Sequence, residues 1–480
     1  MTVPTARLFF RFLFLSLFLA PLCPSHVTSQ ARPPETISRD VCIIGGGASG
    51  VYTAMRLRQQ NISVVVIEAK GRLGGHTNTY IDPGSGTPID FGVALFQDSS
   101  ETVDFFAQLN VSLSRSMPVG GILQRIDFRT GESVAPNPGN ASEALARYTA
   151  VLQRHPYLAE GWNLPDDIPE DLLMSFGQLA KKYDLGPVME TISLYTQGVR
   201  SWLDYPAVYL LKFMSLDLVT SLRQGFLQAS GHGSSELYQA ALRLLGGDVL
   251  LRSVVVAASR TGDEGQGQGQ GQGHELTVQT EDEQVVTVQA ALTILAVPPK
   301  GPVLEGFDLD AHEATLFGHF LNGHYYVGLV RVPHYPSGLQ LLNRGAHTPY
   351  GLPRLPCTFS VAATAVPDIV TVSYVSEEPR SAEEVQQAVG EDILRVLGRE
   401  RQDDEEPRFV AFADHSPFEM SVSREAIEGR FYDRLNGLQG HRNTFYVGAT
   451  WEYPGSSPIW RAVDRLLPAI IRRLEGFQGR

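Results

Sequence analysis

Asp40-Val41-Cys42-Ile43-Ile44-Gly45-Gly46-Gly47-Ala48-Ser49-Gly50 reads as a buried strand, a glycine turn and the start of a helix. Four consecutive apolar residues, Val41 to Ile44, suit a central parallel strand covered on both faces. Gly45, Gly47 and Gly50 fit G-x-G-x-x-G. In that spacing the first glycine makes the tight turn, the second admits a pyrophosphate and the third lets the helix lie close to the strand. Ala48 and Ser49 open the helix, whose amino terminus favours anionic phosphate. A chain with 46 glycines can meet this pattern by accident, so its context decides.

The context agrees. Val51 to Gln59 has a helical pattern, and Ile62 to Ile67 is a second strand that ends in Glu68. A carboxylate at the end of the second strand, about 20 residues past the glycines, is placed to grip a ribose diol. Beyond it lie Arg72-Leu73-Gly74-Gly75-His76-Thr77 and Pro88-Ile89-Asp90-Phe91-Gly92, more than a dinucleotide fold requires.

Length and composition limit the rest. A chain of 480 residues holds about two domain-sized cores at roughly 150 to 200 residues each. A formal net charge of −13 argues against nucleic acid as a partner. At the start of the chain, Arg7 and Arg11 precede the unbroken run Phe12 to Leu22, and Val27 and Ser29 supply small residues before Gln30. This layout predicts a cleaved secretory signal over 1–29, with a signal anchor as the alternative. No later stretch has the roughly 18 apolar residues of a spanning helix. The expected product is therefore secreted or lumenal and soluble, with usable sequons at Asn61, Asn110 and Asn140. Only Cys42 and Cys357 follow the leader, so neither a disulfide framework nor a metal site is expected.

Helical patterns follow over Glu101 to Gln108, Ala144 to Leu152, Leu172 to Tyr183, Leu185 to Tyr195 and Ala207 to Leu218, and a hairpin is expected over Pro118 to Pro138. Another helix spans Glu236 to Leu245. Strands are expected at Val249 to Ala257, Leu276 to Gln279, Val285 to Ala290, Ala291 to Val297, Gly323 to Val332 and Val370 to Val375. The Gly/Gln repeat from Gly265 to Gly273 reads as a surface loop, and Arg399 to Pro407 as a charged one. Ala382 to Leu397 is an amphipathic helix. Asn443 to Trp451 reads as a last strand, followed by a helix capped by Ser457 with Pro458 in its first turn.

The Glu68, Arg72-x-Gly74-Gly75 and Asp90-x-Gly92 series resembles the flavoprotein amine oxidase superfamily. The resemblance implies an α/β architecture: a Rossmann-type FAD-binding domain (38–96, 225–300 and 440–480) and a discontinuous α+β substrate or cap domain (97–224 and 301–439). It also implies that Arg72, Gly74, Gly75 and His76 run along the diphosphate toward the isoalloxazine. A valine such as Val254 or Val255 would meet the adenine through its backbone, and Gly448 with the helix after it would meet the flavin edge. His76 stands where related oxidases carry arginine, and both a polar contact and a covalent histidyl tether fit it. Asp171 to Phe176, Tyr205 to Lys212 and Gln439 to Tyr446 look like the branch that holds beta-cyclopiazonate dehydrogenase-like enzymes and flavin-dependent fatty-acid double-bond isomerases.

The function that this resemblance implies is FAD-dependent dehydrogenation of a small organic substrate such as a specialised metabolite, by hydride transfer to flavin N5, with O2 among the acceptors. The alternatives are double-bond isomerisation of an unsaturated fatty acid and non-catalytic FAD binding in secretion. No lysine lies on His324 to Arg331, where amine oxidases of the superfamily carry one. Tyr209, Tyr325 and Tyr453 are the candidates for the pocket wall.

Overall fold

Alternate residues of the run Val41 to Ile44 enter two different cores, which is why the run is apolar without a break. Cys42 and Ile44 pack with Val65, Ile67 and the helices between 141 and 219. Val41 and Ile43 pack with Val64, Val66 and residues of the helices Ala48–Gln59 and Ser456–Gln478. A computed structural model describes residues 35–116, 121–260, 273–400 and 406–478. From Glu35 onward the chain forms one compact unit.

The strand Glu35–Ile44 lies in the middle of a seven-stranded sheet, parallel to Val64–Ile67 on one side and to Val285–Leu295 on the other. Val285–Leu295 is one strand, where the sequence suggests two. Its first half pairs antiparallel with His274–Thr280, and its end pairs parallel with Thr444–Tyr446. The strand expected over Val249 to Ala257 is broken at Arg252, which has φ +49°. Val249–Leu250 therefore joins Val64–Ile67, while Ser253–Ser259 joins His274–Thr280.

A second seven-stranded sheet runs in the order Arg408–Asp414, Leu321–Arg331, Ile369–Ser376, Cys357–Ala363, Leu339–Asn343 and Ile122–Ile126, with Phe418–Ser421 also on Leu321–Arg331. Helix Ala382–Val396 buries Val385, Val389 and Ile393 against Tyr326, Val330, Val370 and Tyr374 on one face. Leu342, Phe359 and Val375 belong to the core shared with the 141–219 helices.

Polar caps divide two helices that hydrophobic pattern alone reads as continuous. Glu170–Leu173 and Phe176–Lys182 are separated at Ser175, which forms a capping box with Gln178. Ala207–Phe213 and Leu216–Gln224 are separated at Ser215, whose side chain accepts from Leu218 N. Of the expected hairpin over Pro118 to Pro138, the turn at Thr130-Gly131 and one antiparallel bridge, Ile126 to Ser133, are present, and Ile122–Ile126 pairs along its length in parallel with Leu339–Asn343. Residues 117–120, the Gly/Gln repeat as far as 272, residues 401–405 and the expected leader lie outside the described residues. Cys42 and Cys357 are buried and free, and among the described residues no cluster suited to a metal ion occurs.

Candidate active site

The glycine turn is shaped by close approaches. Gly45 has φ +104°, and a Cβ there would lie 2.6 Å from Val297 Cγ1. A Cβ on Gly50 would lie 1.9 Å from Gly45 O, so only glycine lets the helix start here. Gly47 differs: a Cβ there would meet only Gly75 Cα, at 3.8 Å. Gly75 (φ +56°) faces back, with its own hypothetical Cβ 3.0 Å from Gly47 Cα. Two glycine loops thus meet backbone to backbone, leaving beside Gly47 a slot that no side chain of the protein enters. Gly47 caps helix Ala48–Gln59 with no side-chain hydrogen bond. The first-turn N–H groups, which lack intrahelical acceptors, are thereby left without a side-chain cap for an anion to displace.

Glu68 closes one end of this slot. It is buried, and its carboxylate accepts from Gly46 N at 2.6 Å and Lys70 N at 2.7 Å. Ser253 N donates to Glu68 O, which sets Val254 beside the same end. Arg72 organises the second loop: its guanidinium donates to Thr77 O, Gly75 O and Asn78 Oδ1. The Asp90-x-Gly92 pair completes the loop. Asp90 accepts from Thr79 Oγ1, Ser234 N and Ser234 Oγ, fixing the start of helix Ser235–Leu245. A Cβ on Gly92 would lie 2.0 Å from His76 O.

At the far end, Gly448 (φ +116°) sits over the first turn of the nucleotide helix, its hypothetical Cβ 3.3 Å from Ser49 Oγ. The strand before it is shorter than expected, Thr444–Tyr446. The carboxy-terminal helix begins at Ser456, and Ser457 does not act as its cap. Its hydroxyl accepts instead from Gln97 N and Thr102 Oγ1, tying the helix start to the 97–102 segment. Trp460 donates to Ala48 O at 3.1 Å and stacks on Tyr52 and Phe96. Between Gly448 and this helix, Trp451 Nε1 is buried with no partner among the described residues. A glycine slot, uncapped helix N–H groups, a buried carboxylate at one end and an orphan N–H at the other suit FAD. Gly45, Gly47, Ala48, Ser49, Gly50, Glu68, Arg72, Gly74, Gly75, His76, Val254 and Gly448 are the residues that would hold it.

His76 joins the slot to an aromatic wall. Its ring stacks on His415 with centroids 4.2 Å apart and lies 6.0 Å from Phe418. Tyr325 packs against both partners, at 5.9 and 5.1 Å. Burial, with Lys70 and Arg72 adding to it, lowers the His76 pKa to about 4. Burial and the neighbouring cations hold His415 well below the usual histidine range. Both rings are neutral at pH 7. His415 Nε2 therefore accepts from Asn78 Nδ2 at 3.0 Å, leaving the proton on Nδ1. Asn78, His415 and Phe418 carry no local motif, and only the fold brings them to His76.

The three tyrosine candidates separate. Tyr325 stands on the wall, its hydroxyl donating to Gln197 Oε1. Tyr209 lies in the core, its hydroxyl taken up by Val422 and Tyr432. Tyr453 is buried near the carboxy-terminal loop, 3.0 Å from Ser215 Oγ. Lys212 forms a buried pair with Glu452 at 3.1 Å and also donates to Leu158 O and Gly161 O, so all its protons are used within the protein. Glu419 sits at a β-bulge beside Phe418, with φ +53° and an unpartnered Oε2. Burial raises its pKa to about 8.

A Rossmann-type cradle, a separate second sheet and an aromatic wall between them define a two-sheet flavoprotein oxidoreductase. Comparison with known proteins agrees. The family model of flavin-containing amine oxidoreductases matches residues 48–459. The FAD-dependent oxidoreductase oblC of Cochliobolus heterostrophus is 32% identical over 95% of this chain and 98% of its own. The beta-cyclopiazonate dehydrogenase of Aspergillus oryzae is 30% identical over 90% of this chain and 93% of its own. Among solved structures, a fatty acid isomerase from P. acnes superposes with a TM-score of 0.72 at 18% identity, covering 90% of this chain and 98% of its own. Cyclohexylamine oxidase from Brevibacterium oxydans gives 0.64 at 19% identity, covering 92% of this chain and all of its own. The chain belongs to the flavin-containing amine oxidoreductase family and is an FAD-dependent oxidoreductase with an amine-oxidase-like fold.

Proposed function

We propose that this oxidoreductase dehydrogenates a small specialised metabolite, whose C–H bond is presented to the cofactor at the wall formed by His76, His415, Phe418 and Tyr325. The observation that carries this reading is the 4.2 Å stack of His76 on His415, which continues the cofactor loop directly into the second sheet. The names of the relatives, FAD-dependent oxidoreductases and a beta-cyclopiazonate dehydrogenase, support it. Bound FAD supplies the hydride acceptor. The protein holds the substrate still and dry against rigid aromatic area. With both histidines neutral, their rings carry no positive charge, and His415 Nε2 is already engaged by Asn78.

The reading includes O2 as electron acceptor and passage through the secretory pathway. The basic-then-apolar leader supports the second point, as do the exposed positions of Asn61, Asn110 and Asn140. Among the described residues no helix is long and apolar enough to cross a membrane. The test is an anaerobic spectrum with a panel of small metabolites. A dehydrogenase bleaches its flavin until an acceptor is admitted, and O2 then restores the colour with formation of peroxide. Product formed with the flavin still oxidised would instead identify an isomerase. Retention of residues 1–29 in the protein made by its own host would contradict the cleaved leader.

A further inference from the structure

A cleft of about 210 Å³ lies at one edge of the second sheet, and Asp127, Arg129, Asn343, Pro353 and Arg354 are on its lining. None of the lining residues belongs to the cofactor slot or to the aromatic wall. Asp127 follows the edge strand Ile122–Ile126, and Asn343 ends the neighbouring strand Leu339–Asn343. The two strands are parallel, with Ile126 opposite Asn343. The turn after the first and the loop after the second therefore leave the sheet side by side and form the two walls. Asp127 ties them together: one carboxylate oxygen accepts from Arg129 N at 3.0 Å, the other from Ala346 N at 2.9 Å. Phe128 N adds a second bond between the walls, to Asn343 Oδ1 at 3.1 Å. The cleft is thus a fixed feature of the fold, shaped before any ligand arrives.

Its charges do not balance within the protein. Arg129 and Arg354 are both exposed. The Arg129 guanidinium makes one hydrogen bond, from Nη2 to Arg354 O at 3.4 Å, which brings the two arginines together. The Arg354 guanidinium has no hydrogen-bond or ion-pair partner among the described residues, so all five of its N–H donors are open to a ligand. Neither arginine pairs with a carboxylate there. Asp127, the acid on the lining, has both oxygens engaged by backbone N–H groups. Asn343 is 4% exposed and donates one of its two amide N–H groups to Thr358 O at 2.7 Å. The other has no acceptor among the described residues. Buried donors are ordinarily satisfied, by water or a ligand where the protein offers nothing. Two unpaired guanidinium groups and a spare buried donor on one small cleft suit an oxyanion.

We propose that this cleft is a second ligand site, which takes a small phosphate monoester with its phosphoryl oxygens on Arg129 and Arg354 and its organic part against Pro353 and Asn343. A phosphate monoester carries a charge of about −1.5 to −2 at pH 7 and three acceptor oxygens, which answers two guanidinium groups better than a single carboxylate does. The free fork of Arg354 can meet two of those oxygens with parallel N–H groups. The volume lies below the roughly 300 Å³ at which drug-sized pockets begin, and this limits the ester to a small molecule. The site stands apart from the reading of the wall as the substrate side and does not depend on it.

The test is calorimetric titration of the FAD-loaded protein with phenyl phosphate, benzoate and inorganic phosphate. Loading FAD first keeps phosphate out of the glycine slot, and the measurement needs no turnover. Phenyl phosphate should bind at one site per chain, benzoate and inorganic phosphate at least about tenfold more weakly. Arg354→Met removes a guanidinium that no other residue uses. It should melt like the wild type and weaken phenyl phosphate by about tenfold or more. Arg129→Met should weaken it similarly. Absence of phenyl phosphate binding, or undiminished binding by either variant, would overturn the site. Benzoate binding as tightly as phenyl phosphate would overturn the phosphate assignment. Inorganic phosphate binding as tightly would show a site for simple anions and overturn the monoester.

Discussion

Gly46 N donates to Glu68 Oε2 at 2.6 Å, so the glycine turn and the carboxylate at the end of the second strand form one unit. The same carboxylate holds Lys70 N through its other oxygen. Glu68→Gln keeps the shape but leaves only one acceptor oxygen for two N–H groups. Hydrogen bonds to a charged group contribute about 1.5–3 kcal/mol, so FAD affinity should fall about ten- to a hundredfold. Fluorescence titration of the apoprotein with FAD measures this, and unchanged affinity would remove Glu68 from the site.

The glycines should fail in different ways. Gly50→Ala puts a methyl 1.9 Å from a backbone oxygen and should abolish soluble expression. Gly47→Ala meets nothing closer than 3.8 Å within the protein. It should fold with a wild-type apoprotein melting temperature and lose FAD affinity, because its methyl occupies the slot. Thermal melts with and without FAD separate these outcomes.

Lys212 and Glu452 carry a stability prediction. Lys212→Met leaves a carboxylate buried at 1% side-chain exposure with Arg465 as its remaining cation. Breaking one side of such a pair costs about 3–5 kcal/mol. Adding Glu452→Gln removes the stranded charge while keeping an acceptor for Gly161 N, and should recover most of the loss. Urea unfolding of the single and double variants checks both steps.

Glu419 makes stability depend on pH. Its native pKa is raised to about 8 from an ordinary value of 4.5 by burial, with Tyr205 and Arg200 opposing. The native state keeps this proton over an interval where the unfolded chain releases it. Its contribution is therefore full below pH 4.5 and is lost as pH rises to about 8. Glu419→Gln is neutral at every pH. It should melt like the wild type near pH 4.5 and about 5 °C higher at pH 8 or above. A constant difference across that range would contradict the assignment.

The parts legible in sequence were those whose chemistry repeats at short spacing. Gly45, Gly47 and Gly50 act through backbone geometry within six residues, and Glu68 follows at the end of the next strand. Helix breaks at Ser175 and Ser215 were also written locally, as a Ser–Gln capping box and a lone capping serine, but the apolar pattern runs straight through them. The wall was not legible. His415 meets Asn78 across 337 residues, and nothing in its own neighbourhood marks it. The same holds for Arg129 and Arg354, which share a cleft only after the strands ending at Ile126 and Asn343 are paired. Ser457 illustrates a third case. It stands where a cap belongs, yet tertiary contact with Gln97 and Thr102 claims its hydroxyl.

The central claim is that the slot beside the apposed glycines Gly47 and Gly75 holds the diphosphate of FAD. The visible absorption spectrum of the purified full-length protein, set beside that of Gly47→Val, tests it most directly. The account predicts a two-band flavin spectrum with FAD near one per chain, and a folded but colourless variant. A wild-type protein that folds and neither carries nor takes up FAD, or a Gly47→Val protein that retains it fully, would contradict the account.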